Sequence, residues 1–484
     1  SGGMDRFYSA LDINALTSLS ETFPYALTEG ARFHLATVAT AVGGIPYLID
    51  QDVSGYLFTP GDAKTLGKRL AALGNDDALR RDMGEKLYEK ASRDFSIQKT
   101  VDTQLHIYQE ILRRSHREKK ARDGVVICGA YGRGNAGDDA ILDAILQEMR
   151  SLDPDMPVTV LSKDPAATRL TYRVRSIHRS HVLSWRHAMR KSVLYINGGG
   201  SLIQDVTSRR SLWYYLYNIR SAHALGCRVQ MYGCGIGPVT RDKHRRMAAR
   251  TLNDCVDIIT LREPDSQAEL QAMGVTKPRI LLTADPALTL SAATEDETDS
   301  VLLRAGIPPH GRYLCFALRR WPGFEEAAPA IRAAAAYAYE TYGLTPVFLS
   351  VEKHLDPGAG RIAADGLAVP HYFLDDAGGA GTIIGALSRM EAVVSMRLHA
   401  LIFAAGQGIP LVGIVYDPKV SAFLRYIGQE QFEDLSALTE ESLRRMIDRA
   451  VEQSHDRAAQ AAAVRRLQAM EHRNVQAARS LLEG

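Results

Sequence analysis

From about residue 125 onward, short runs of β-branched and other apolar residues alternate with longer amphipathic stretches. A short apolar run is typical of a buried strand, and a longer amphipathic stretch is typical of a surface helix. Their alternation predicts βαβ units and parallel sheets. The predicted strands form two series, residues 125–129, 158–161, 193–196, 229–232, 258–261 and 280–282, and then residues 313–318, 346–349, 392–395 and 411–415.

A polar segment, residues 291–300, separates the two series. The sequence therefore predicts an α/β protein with two doubly wound, Rossmann-type domains, residues 125–295 and 296–430, facing each other across a cleft. Residues 431–484 are predicted to form C-terminal helices that pack rather than react. Thr439 is the expected N-cap of the first of them.

Residues 113–124 form a polar, basic stretch between a helical segment and the first strong strand, which predicts a domain boundary. We favour a solvated linker that joins a separate N-terminal domain, residues 1–112, to the rest of the chain. The alternative is that its six arginine and lysine side chains contact an anionic membrane surface or a lipid diphosphate. Each such charge contributes about 1 kcal/mol near a surface.

The composition is that of a globular protein, with 46% hydrophobic and 24% charged residues among 484. That length divides into roughly three domains. No apolar window approaches the length of a membrane helix and no secretory signal is found, so we expect a cytoplasmic protein. The net charge of +2 predicts no nucleic-acid partner. The five cysteines show neither CxxC pairing nor metal-ligand spacing, so we expect buried free thiols and no metal.

Two side chains suited to anion binding and proton transfer follow the predicted strand at residues 392–395. Arg397 and His399 lie two residues apart, just before an alanine-rich segment that is predicted to be helical. The carboxyl ends of parallel strands share one sheet edge, where ligands of open α/β folds bind. A guanidinium binds anions and an imidazole exchanges protons near neutral pH. These residue types predict an anionic small-molecule substrate.

Glycine-rich segments follow two other strands. The amides of Gly199 and Gly200, within the triple glycine at 198–200, could form a nest for an anion. A tight strand-to-helix turn without a ligand is the equal alternative. Glycines also alternate at residues 233–237, but their spacing is not GxGxxG and Pro238 follows, so no dinucleotide cofactor is expected.

Polar side chains in the same loops are candidates for the acceptor site. Asn135, Asp138 and Asp139 follow the first predicted strand of the series, and Asp205 follows the triple glycine. Carboxylates at these positions could hold substrate hydroxyl groups or accept their protons. Helix capping, or sugar binding without catalysis, is the competing interpretation for each of them.

Six segments stand in a fixed order: GAYGRGNAGDDAIL (129–142), NGGGSLIQD (197–205), GCGIGP (233–238), TLREPDS (260–266), TADPA (283–287) and MRLHALIFA (396–404). Together they resemble the motifs of the polysaccharide pyruvyl transferases over residues 125–430. The nearest resemblance is to the subgroup that ketalises a secondary cell-wall polymer for S-layer anchoring. The resemblance implies a GT-B-like pair of domains and transfer of a carboxyethylidene group from phosphoenolpyruvate to two sugar hydroxyls, with release of phosphate.

The resemblance also assigns residues and partners. Arg397 and His399, and with them Arg262, are the implied catalytic residues, and Leu398 belongs to the same substrate-binding motif. Phosphoenolpyruvate carries a carboxylate and a phosphate, which suit two planar, permanently charged donors. The implied acceptor is a lipid-linked or polymeric cell-wall glycan, with N-acetylmannosamine ketalised across O4 and O6. No cofactor is implied, and contact with the inner face of the membrane remains an expectation.

The N-terminal domain carries a second resemblance, to the donor half of the retaining GT-B glycosyltransferases of family four, at residues 20–29, 39–46 and 55–58. In that family the two glutamates of an E-x7-E motif, here Glu21 and Glu29, bind a nucleotide-sugar. His34 and Ala36 replace the usual glycine and proline, and no acceptor half is present, so we expect a partial domain. Glycosyl transfer, or a fusion of both activities, is the alternative function, and a non-catalytic sugar-binding module is a third.

Overall fold

A computed structural model describes residues 2–115, 120–206, 208–454 and 458–483 of the chain. It contains two compact units, Ser1–Glu118 and Lys119–Gly484. The division falls inside the basic stretch at residues 113–124. No helix in the described ranges has both the length and the apolar character needed to cross a membrane.

The first unit is built on three short parallel strands with helices around them. Its elements are Gly2–Ser9 (α1), Ile13–Leu16 (β1), Tyr25–Arg32 (α2), Ala36–Thr40 (β2), Ile45–Leu48 (α3), Tyr56–Phe58 (β3), Ala63–Asn75 (α4), Asp77–Asp94 (α5) and Ile97–Ser115 (α6). The strand order is β1-β2-β3, and β2 is buried along its whole length. Leu27, Leu48 and Leu87 from three of the helices are fully buried in this unit. The result is a small Rossmann-like sheet.

The second unit begins with a sheet of seven parallel strands. They are Val125–Cys128 (β4), Val158–Ser162 (β5), Arg175–His178 (β6), Leu194–Ile203 (β7), Arg228–Ile236 (β8), Ile258–Leu261 (β9) and Arg279–Leu282 (β10). Their order is β10-β9-β8-β7-β4-β5-β6, which is the pattern of a doubly wound sheet. The edge strand β6 escaped prediction because its sequence, Arg-Ser-Ile-His, contains a single apolar residue.

Helices cover both faces of this sheet. They are Ala136–Leu152 (α7), Pro165–Tyr172 (α8), Val182–Lys191 (α9), Arg209–Ala224 (α10), Asp242–Cys255 (α11) and Pro264–Met273 (α12). Buried residues of α9, α10 and α11 share one apolar cluster with the sheet, and buried residues of α7 belong to a different cluster. Thus α9, α10 and α11 lie together on one face, and α7 lies on the other.

The second half of this unit contains a sheet of six parallel strands. They are Tyr313–Ala317 (β11), Thr345–Leu349 (β12), Tyr372–Leu374 (β13), Ala392–Ser395 (β14), Leu411–Val415 (β15) and Phe432–Asp434 (β16). Their order is β13-β12-β11-β14-β15-β16. The three-residue edge strands β13 and β16 were not predicted, because runs this short carry no clear periodicity. Two Rossmann-type sheets in one unit confirm the predicted GT-B-like fold.

The remaining helices are Glu295–Arg304 (α13), Phe324–Tyr342 (α14), Asp356–Ala364 (α15), Ala380–Ser388 (α16), Leu398–Gly406 (α17), Pro418–Tyr426 (α18), Glu440–Ser454 (α19), Ala458–Glu471 (α20) and Arg473–Glu483 (α21). The hydroxyl of Thr439 accepts a hydrogen bond from the amide of Ser442 at 3.1 Å, so the predicted N-cap of α19 is confirmed.

The last helix returns to the first of the two sheets. Asn474 in α21 accepts a hydrogen bond from the hydroxyl of Thr283 at 2.9 Å and donates one to the carbonyl of Ala284 at 3.2 Å. Gln230 in β8 donates to the Asn474 carbonyl at 3.0 Å. Because Asn474 is fully buried, these bonds fix the C-terminal helix against the strand ends that lead into the cleft.

The basic stretch at 113–124 is not uniformly solvated. The guanidinium of Arg122 donates to the carbonyls of Ser192 and Leu225, at 2.6 and 2.8 Å. These bonds link the segment before β7 to the segment before β8. Arg122 is therefore not available to a membrane. Residues 116–119, which include two of the six cations of the proposed membrane contact, lie outside the described residues. All five cysteines are free, and all except the half-buried Cys255 are buried.

Candidate active site

A cavity of about 470 Å³ lies between the two sheets of the second unit. Because all strands in each sheet are parallel, their carboxyl ends meet at one edge, and the loops that leave those ends line the cavity. Side chains from the first sheet's loops include Arg133, Asn135, Asp138, Val206, Arg262 and Glu263. Those from the second include Arg319, Trp321, Arg397, His399, Tyr416 and Lys419. We call this cavity the cleft.

Several helices begin at the cleft. The first residues of α7, α12, α17 and α18, or the residues just before them, are among its lining. The first backbone N–H groups of a helix have no partner within the helix and form its positive end. Within the described residues, the amides of Leu398 and His399 at the start of α17 find no acceptor. These amides are therefore available to donate hydrogen bonds to an anion bound in the cleft.

Arg262 is buried just after β9, and each of its three side-chain nitrogens donates to a neighbour. Its Nη1 donates to Asp285 at 2.8 Å, its Nε to Glu263 at 3.0 Å, and its Nη2 to the hydroxyl of Ser201 at 3.2 Å. Burial alone would lower the pKa of Arg262, but the two carboxylates raise it above its usual value. The guanidinium is thus charged and fixed in position.

Arg397 is also buried and paired. Its Nε lies 2.9 and 3.0 Å from the two carboxylate oxygens of Asp356, and its Nη2 donates to Glu352 at 2.9 Å and to Asp356. Only Nη1 forms no hydrogen bond with the described residues. Arg262 and Arg397 were predicted as the two planar donors for phosphoenolpyruvate, and the structure shows that carboxylates already occupy most of their N–H groups.

Three cations that sequence reasoning missed line the same cleft. Arg133 forms no ion pair with any described residue, and Arg319 lies over the rings of Trp321 and Tyr416 at 5.4 and 5.5 Å without a carboxylate partner. Lys419, in the first turn of α18, is held 3.1 Å from Asp417. For Arg133 the available sequence signal was its place inside the motif segment 129–142, and for Lys419 it was a position just after the predicted strand 411–415.

His399 is half-buried at the start of α17 and packs against the first turn of α7, where a Cβ at Gly137 would lie 2.0 Å from its Nδ1. Its buried Nε2 finds no hydrogen-bond partner among the described residues and lies 4.0 Å from the nearer oxygen of Asp285. Burial lowers the pKa of His399 to about 4, an effect that Asp285 opposes and Arg262 reinforces. The imidazole is therefore neutral at pH 7 in the free protein. An unpaired, buried nitrogen in a cleft is poised for a ligand.

The two aspartates of the first α7 turn differ. Asp138 lines the cleft and forms neither a hydrogen bond nor an ion pair with the described residues. Burial, helped by the neighbouring charge of Asp139, raises its pKa to about 7. Asp139 instead accepts a hydrogen bond from the amide of Gly132 at 3.3 Å and does not line the cleft. We therefore remove Asp139 from the candidate site and keep Asp138.

The raised pKa of Asp138 has a consequence for stability. Below about pH 4 both folded and unfolded chains carry this group protonated, and from there to about pH 7 only the unfolded chain ionises it, so stability falls as pH rises through this window. Replacing Asp138 by asparagine removes the cost of charging a buried carboxyl. We expect urea denaturation to show a gain of about 1–2 kcal/mol at pH 8 that disappears at pH 4. Equal effects at both values would contradict the assignment.

The other predicted binding residues also divide into those that line the cleft and those that do not. Asn135 lines the cleft and also caps α7, because its side chain accepts a hydrogen bond from the amide of Gly137 at 3.0 Å. Gly200, with φ of +70°, and Leu398 line the cleft. Gly199 does not, because its α-carbon faces Ile141, which a Cβ would approach to 2.1 Å. Gly199 lies inside β7, which continues to Ile203, so the predicted strand-to-helix turn at this position is wrong.

Asp205 is a structural residue. Its carboxylate accepts hydrogen bonds from the amides of Thr240 and Arg241 at 2.8 and 3.2 Å and lies 2.7 Å from Nδ1 of His244. Burial alone would raise its pKa, but these hydrogen bonds outweigh burial and lower it to about 2. Because every contact is internal and the side chain is absent from the cleft lining, the prediction of Asp205 as an acceptor-binding residue is corrected.

In the first unit, the two predicted nucleotide-sugar residues have local partners. Glu21 accepts a hydrogen bond from the hydroxyl of Ser18 at 2.7 Å, and Glu29 accepts one from the hydroxyl of Tyr8 at 2.9 Å. Glu29 is exposed on α2 and Glu21 is half-buried in the loop before it. Each carboxylate keeps one oxygen without a hydrogen bond to the described residues.

Two Rossmann-type sheets with a cationic cleft between their carboxyl edges define a GT-B-like enzyme. The family model described as polysaccharide pyruvyl transferase matches residues 135–418, which is more than half of the chain. The chain therefore belongs to the polysaccharide pyruvyl transferase family. A second family model, glycosyl transferases group 1, matches residues 2–90, which confirms the predicted fusion.

Curated relatives match over short stretches. N-acetyl-alpha-D-glucosaminyl L-malate synthase of Bacillus anthracis is 33% identical over 102 residues, which is 21% of this chain and 27% of that protein. D-inositol 3-phosphate glycosyltransferase of Saccharomonospora viridis is 33% identical over 113 residues, 23% of this chain and 26% of that protein. The chain thus spans about a quarter of the length of these relatives.

Solved structures share the fold. Anabaena HepE in complex with UDP-glucose aligns with a TM-score of 0.52 and 11% identity, covering 74% of this chain and 99% of that chain. A glycosyltransferase from Rickettsia africae aligns with a TM-score of 0.51 and 8% identity, covering 75% and 99%. At such low identity these similarities establish the GT-B-like architecture and nothing about substrate.

Proposed function

We propose that the second unit transfers the carboxyethylidene group of phosphoenolpyruvate to two hydroxyls of a cell-wall glycan, with release of phosphate. The observation that carries this proposal is the cleft, in which a neutral, unpaired His399 and a partly protonated Asp138 lie among five arginine and lysine side chains. A site that contains arginines without a carboxylate partner among the described residues, together with two groups of opposite proton affinity, suits an anionic substrate whose reaction moves protons.

In this proposal phosphoenolpyruvate is bound mainly by Arg133 and Arg319, which have no carboxylate partner among the described residues and which contribute charge from the first and second sheets. Lys419, although 3.1 Å from Asp417, adds a third point charge. The start of α17 supplies backbone N–H groups to an anionic oxygen. Arg262 and Arg397 then act through their fixed positions and remaining N–H groups, since their ion pairs preorganise them before substrate arrives.

The proposed reaction balances without a cofactor. A proton adds to the methylene carbon of phosphoenolpyruvate, which becomes a methyl group, and the adjacent carbon becomes electrophilic. One sugar hydroxyl bonds to that carbon, the carbon–oxygen bond to phosphate breaks, and the second hydroxyl closes the ketal. Of the two hydroxyl protons, one replaces the proton that was added to the methylene carbon, and the other protonates the departing phosphate.

Two residues are proposed to carry these protons. Asp138, with a pKa of about 7, is protonated in a useful fraction of molecules and donates to the methylene carbon. His399 is neutral and accepts a hydroxyl proton, and a bound phosphate raises its pKa toward neutrality by opposing the nearby cations. Asp285 lies close enough to stabilise the imidazolium that forms.

This assignment predicts the pH dependence of turnover. If protonated Asp138 is the acid, kcat should fall as pH rises through about 7, because the carboxyl loses its proton there. The Asp138→Asn variant should be slow and should lack this decline, while any ionisation of phosphoenolpyruvate itself affects both proteins equally. Steady-state kinetics from pH 5.5 to about 9 measure it, and the same decline in the variant would remove Asp138 from this role.

The acceptor remains part of the proposal. The sequence resemblance favours N-acetylmannosamine in a lipid-linked or polymeric cell-wall precursor, ketalised across O4 and O6, and a cytoplasmic reaction that precedes S-layer anchoring. Trp321 and Tyr416, whose ring centroids lie 5.0 Å apart at the cleft wall, offer aromatic surface against which a sugar ring can pack.

The test is phosphate release from phosphoenolpyruvate by the full chain, with and without a panel of synthetic lipid-linked disaccharides. Acceptor-dependent phosphate, with a product heavier by one carboxyethylidene unit in mass spectrometry, is the expected result. An Arg133→Ala/Arg319→Ala variant should need more phosphoenolpyruvate for the same rate. Absence of phosphoenolpyruvate binding in calorimetric titration would refute the proposal independently of the acceptor chosen.

A second function, donor nucleotide-sugar binding, is favoured in the first unit by the match to glycosyl transferases group 1. The accessible carboxylate of Glu29 is the proposed ribose contact, since carboxylates accept hydrogen bonds from hydroxyl pairs. Calorimetric titration with uridine and guanosine diphosphate sugars tests it. Binding that Glu29→Gln abolishes, and that exchange of the nearby Glu85 for glutamine leaves intact, would support the assignment.

A further inference from the structure

Positive charge is concentrated in one segment of the second unit. Thirteen arginine and lysine residues and two aspartates fall between residues 179 and 250, so this segment carries a formal charge of +11. The whole chain carries +2. The rest of the chain is therefore net negative, and the near-neutral total conceals an uneven distribution of charge.

The structure places this charge on one face. Helices α9, α10 and α11 lie side by side on the same face of the first sheet, with α10 in the middle. Eight exposed cations of this segment have no carboxylate partner in the described part of the chain. Those used below are Arg210 and Arg220 on α10, and Arg246 on α11.

Exposed apolar side chains lie among these cations. Trp213 and Tyr217, four residues apart on the outer side of α10, are each 49% exposed, and Leu183 on α9 is 86% exposed. The ring of Trp213 contacts His244 of α11, and the ring of Tyr217 contacts Trp185 of α9, so both aromatics are held in position at the helix contacts. We call this surface, formed by the outer sides of α9, α10 and α11, the basic face.

We propose that the basic face binds the surface of an anionic lipid bilayer. Tryptophan and tyrosine favour the boundary between water and hydrocarbon, and arginine and lysine around them are attracted to anionic headgroups. A second copy of this chain is disfavoured as the occupant because two such faces repel each other. A nucleic acid or other polyanion would use the charge but would leave Leu183 and the aromatic rings without a purpose.

This placement orients the cleft. Val206, which is exposed and lines the cleft, lies three residues before α10. Docking through α10 therefore brings this end of the cleft near the membrane surface, where a glycan attached to a lipid would emerge. Binding of the basic face to a bilayer does not depend on the proposed reaction, so the two can fail separately.

The test is co-sedimentation of the full chain with vesicles of phosphatidylglycerol and phosphatidylcholine, compared with vesicles of phosphatidylcholine alone. We expect binding to the anionic vesicles that weakens with salt. The variant Arg210→Glu/Arg220→Glu/Arg246→Glu should lower the partition coefficient by at least about 100-fold, since each lost positive charge contributes about fivefold and each added carboxylate is repelled by the anionic surface. Partitioning equal to wild type would overturn the proposal.

Two controls sharpen the result. The variant Arg449→Glu/Arg473→Glu/Arg479→Glu changes the net charge equally, using exposed arginines of the C-terminal helices, and should bind as the wild type does. An equal loss in this variant would show a nonspecific charge effect and overturn the basic face. Trp213→Ala should weaken binding about tenfold. No loss with Trp213→Ala, or binding to heparin without binding to vesicles, would exclude the bilayer as the occupant.

Discussion

Replacement of His399 by alanine should lower kcat by about 10² to 10⁴, the usual contribution of a positioned acid or base. The fold should remain intact, because Nε2 of His399 has no hydrogen-bond partner and its removal leaves no buried group newly unpaired. Asp285 keeps its bond to Arg262 at 2.8 Å in the variant. Turnover of phosphoenolpyruvate and thermal unfolding, measured on the same preparation, separate the two effects.

His371 offers a matched control. It is a half-buried histidine of the same unit whose Nδ1 lies 2.9 Å from the carbonyl of Val369, and it is absent from the cleft lining. His371→Ala should leave kcat close to the wild-type value. His399→Gln keeps a polar group without proton exchange near neutral pH, so it should be as slow as His399→Ala. Wild-type turnover in His399→Gln would reduce His399 to a hydrogen-bonding role.

Loss of Arg397 should act first on stability. Arg397→Ala leaves the carboxylate of Asp356, 2% exposed, and that of Glu352 without their cation. Breaking a buried ion pair by removing one partner costs about 3–5 kcal/mol. That is a large share of the stability of a typical domain. Chemical denaturation followed by fluorescence measures it, and a loss below about 1 kcal/mol would show that the pair is not formed.

A double replacement distinguishes charge from packing. Asp356→Asn/Arg397→Met removes the buried pair of charges but keeps an acceptor for the amides of Val351 and Glu352, so it should recover part of the stability lost in Arg397→Ala. It should not recover catalysis, because the cleft lacks its guanidinium. Arg397→Lys keeps the charge but loses the planar fork, so it should fold and require more phosphoenolpyruvate. If the double variant is no more stable than Arg397→Ala, the uncompensated carboxylate is not the cause.

The parallel sheets could be predicted because their central strands are continuous apolar runs such as Val125–Cys128 and Ala392–Ser395. The edge strands could not be predicted from such runs. Arg175–His178 has one buried apolar side chain, and Phe432–Asp434 has only three residues, so their pairing is decided by the neighbouring strand rather than by their own pattern.

The candidate site shows the same limit. Arg397 and His399 were predictable because they follow a strand within a specific motif. Their partners were not, since Asp356 lies 41 residues from Arg397 in sequence. Asp205 was misassigned for the same reason, because the residues that bind its carboxylate, Thr240 and His244, follow 35 and 39 residues later. Local sequence identifies a residue's chemistry, and only the fold shows whether a neighbour has already used it.

The central claim is that phosphoenolpyruvate ends as a ketal on two oxygens of a sugar. The most direct measurement is carbon-13 NMR of turnover in heavy water, with phosphoenolpyruvate labelled at its methylene carbon and a lipid-linked glycan as acceptor. The proposed proton addition predicts that this carbon becomes a methyl group carrying one deuterium, attached to a ketal carbon, with an equal amount of phosphate released. A product that keeps the methylene double bond would be an enol ether, and would contradict the mechanism even if phosphate were released.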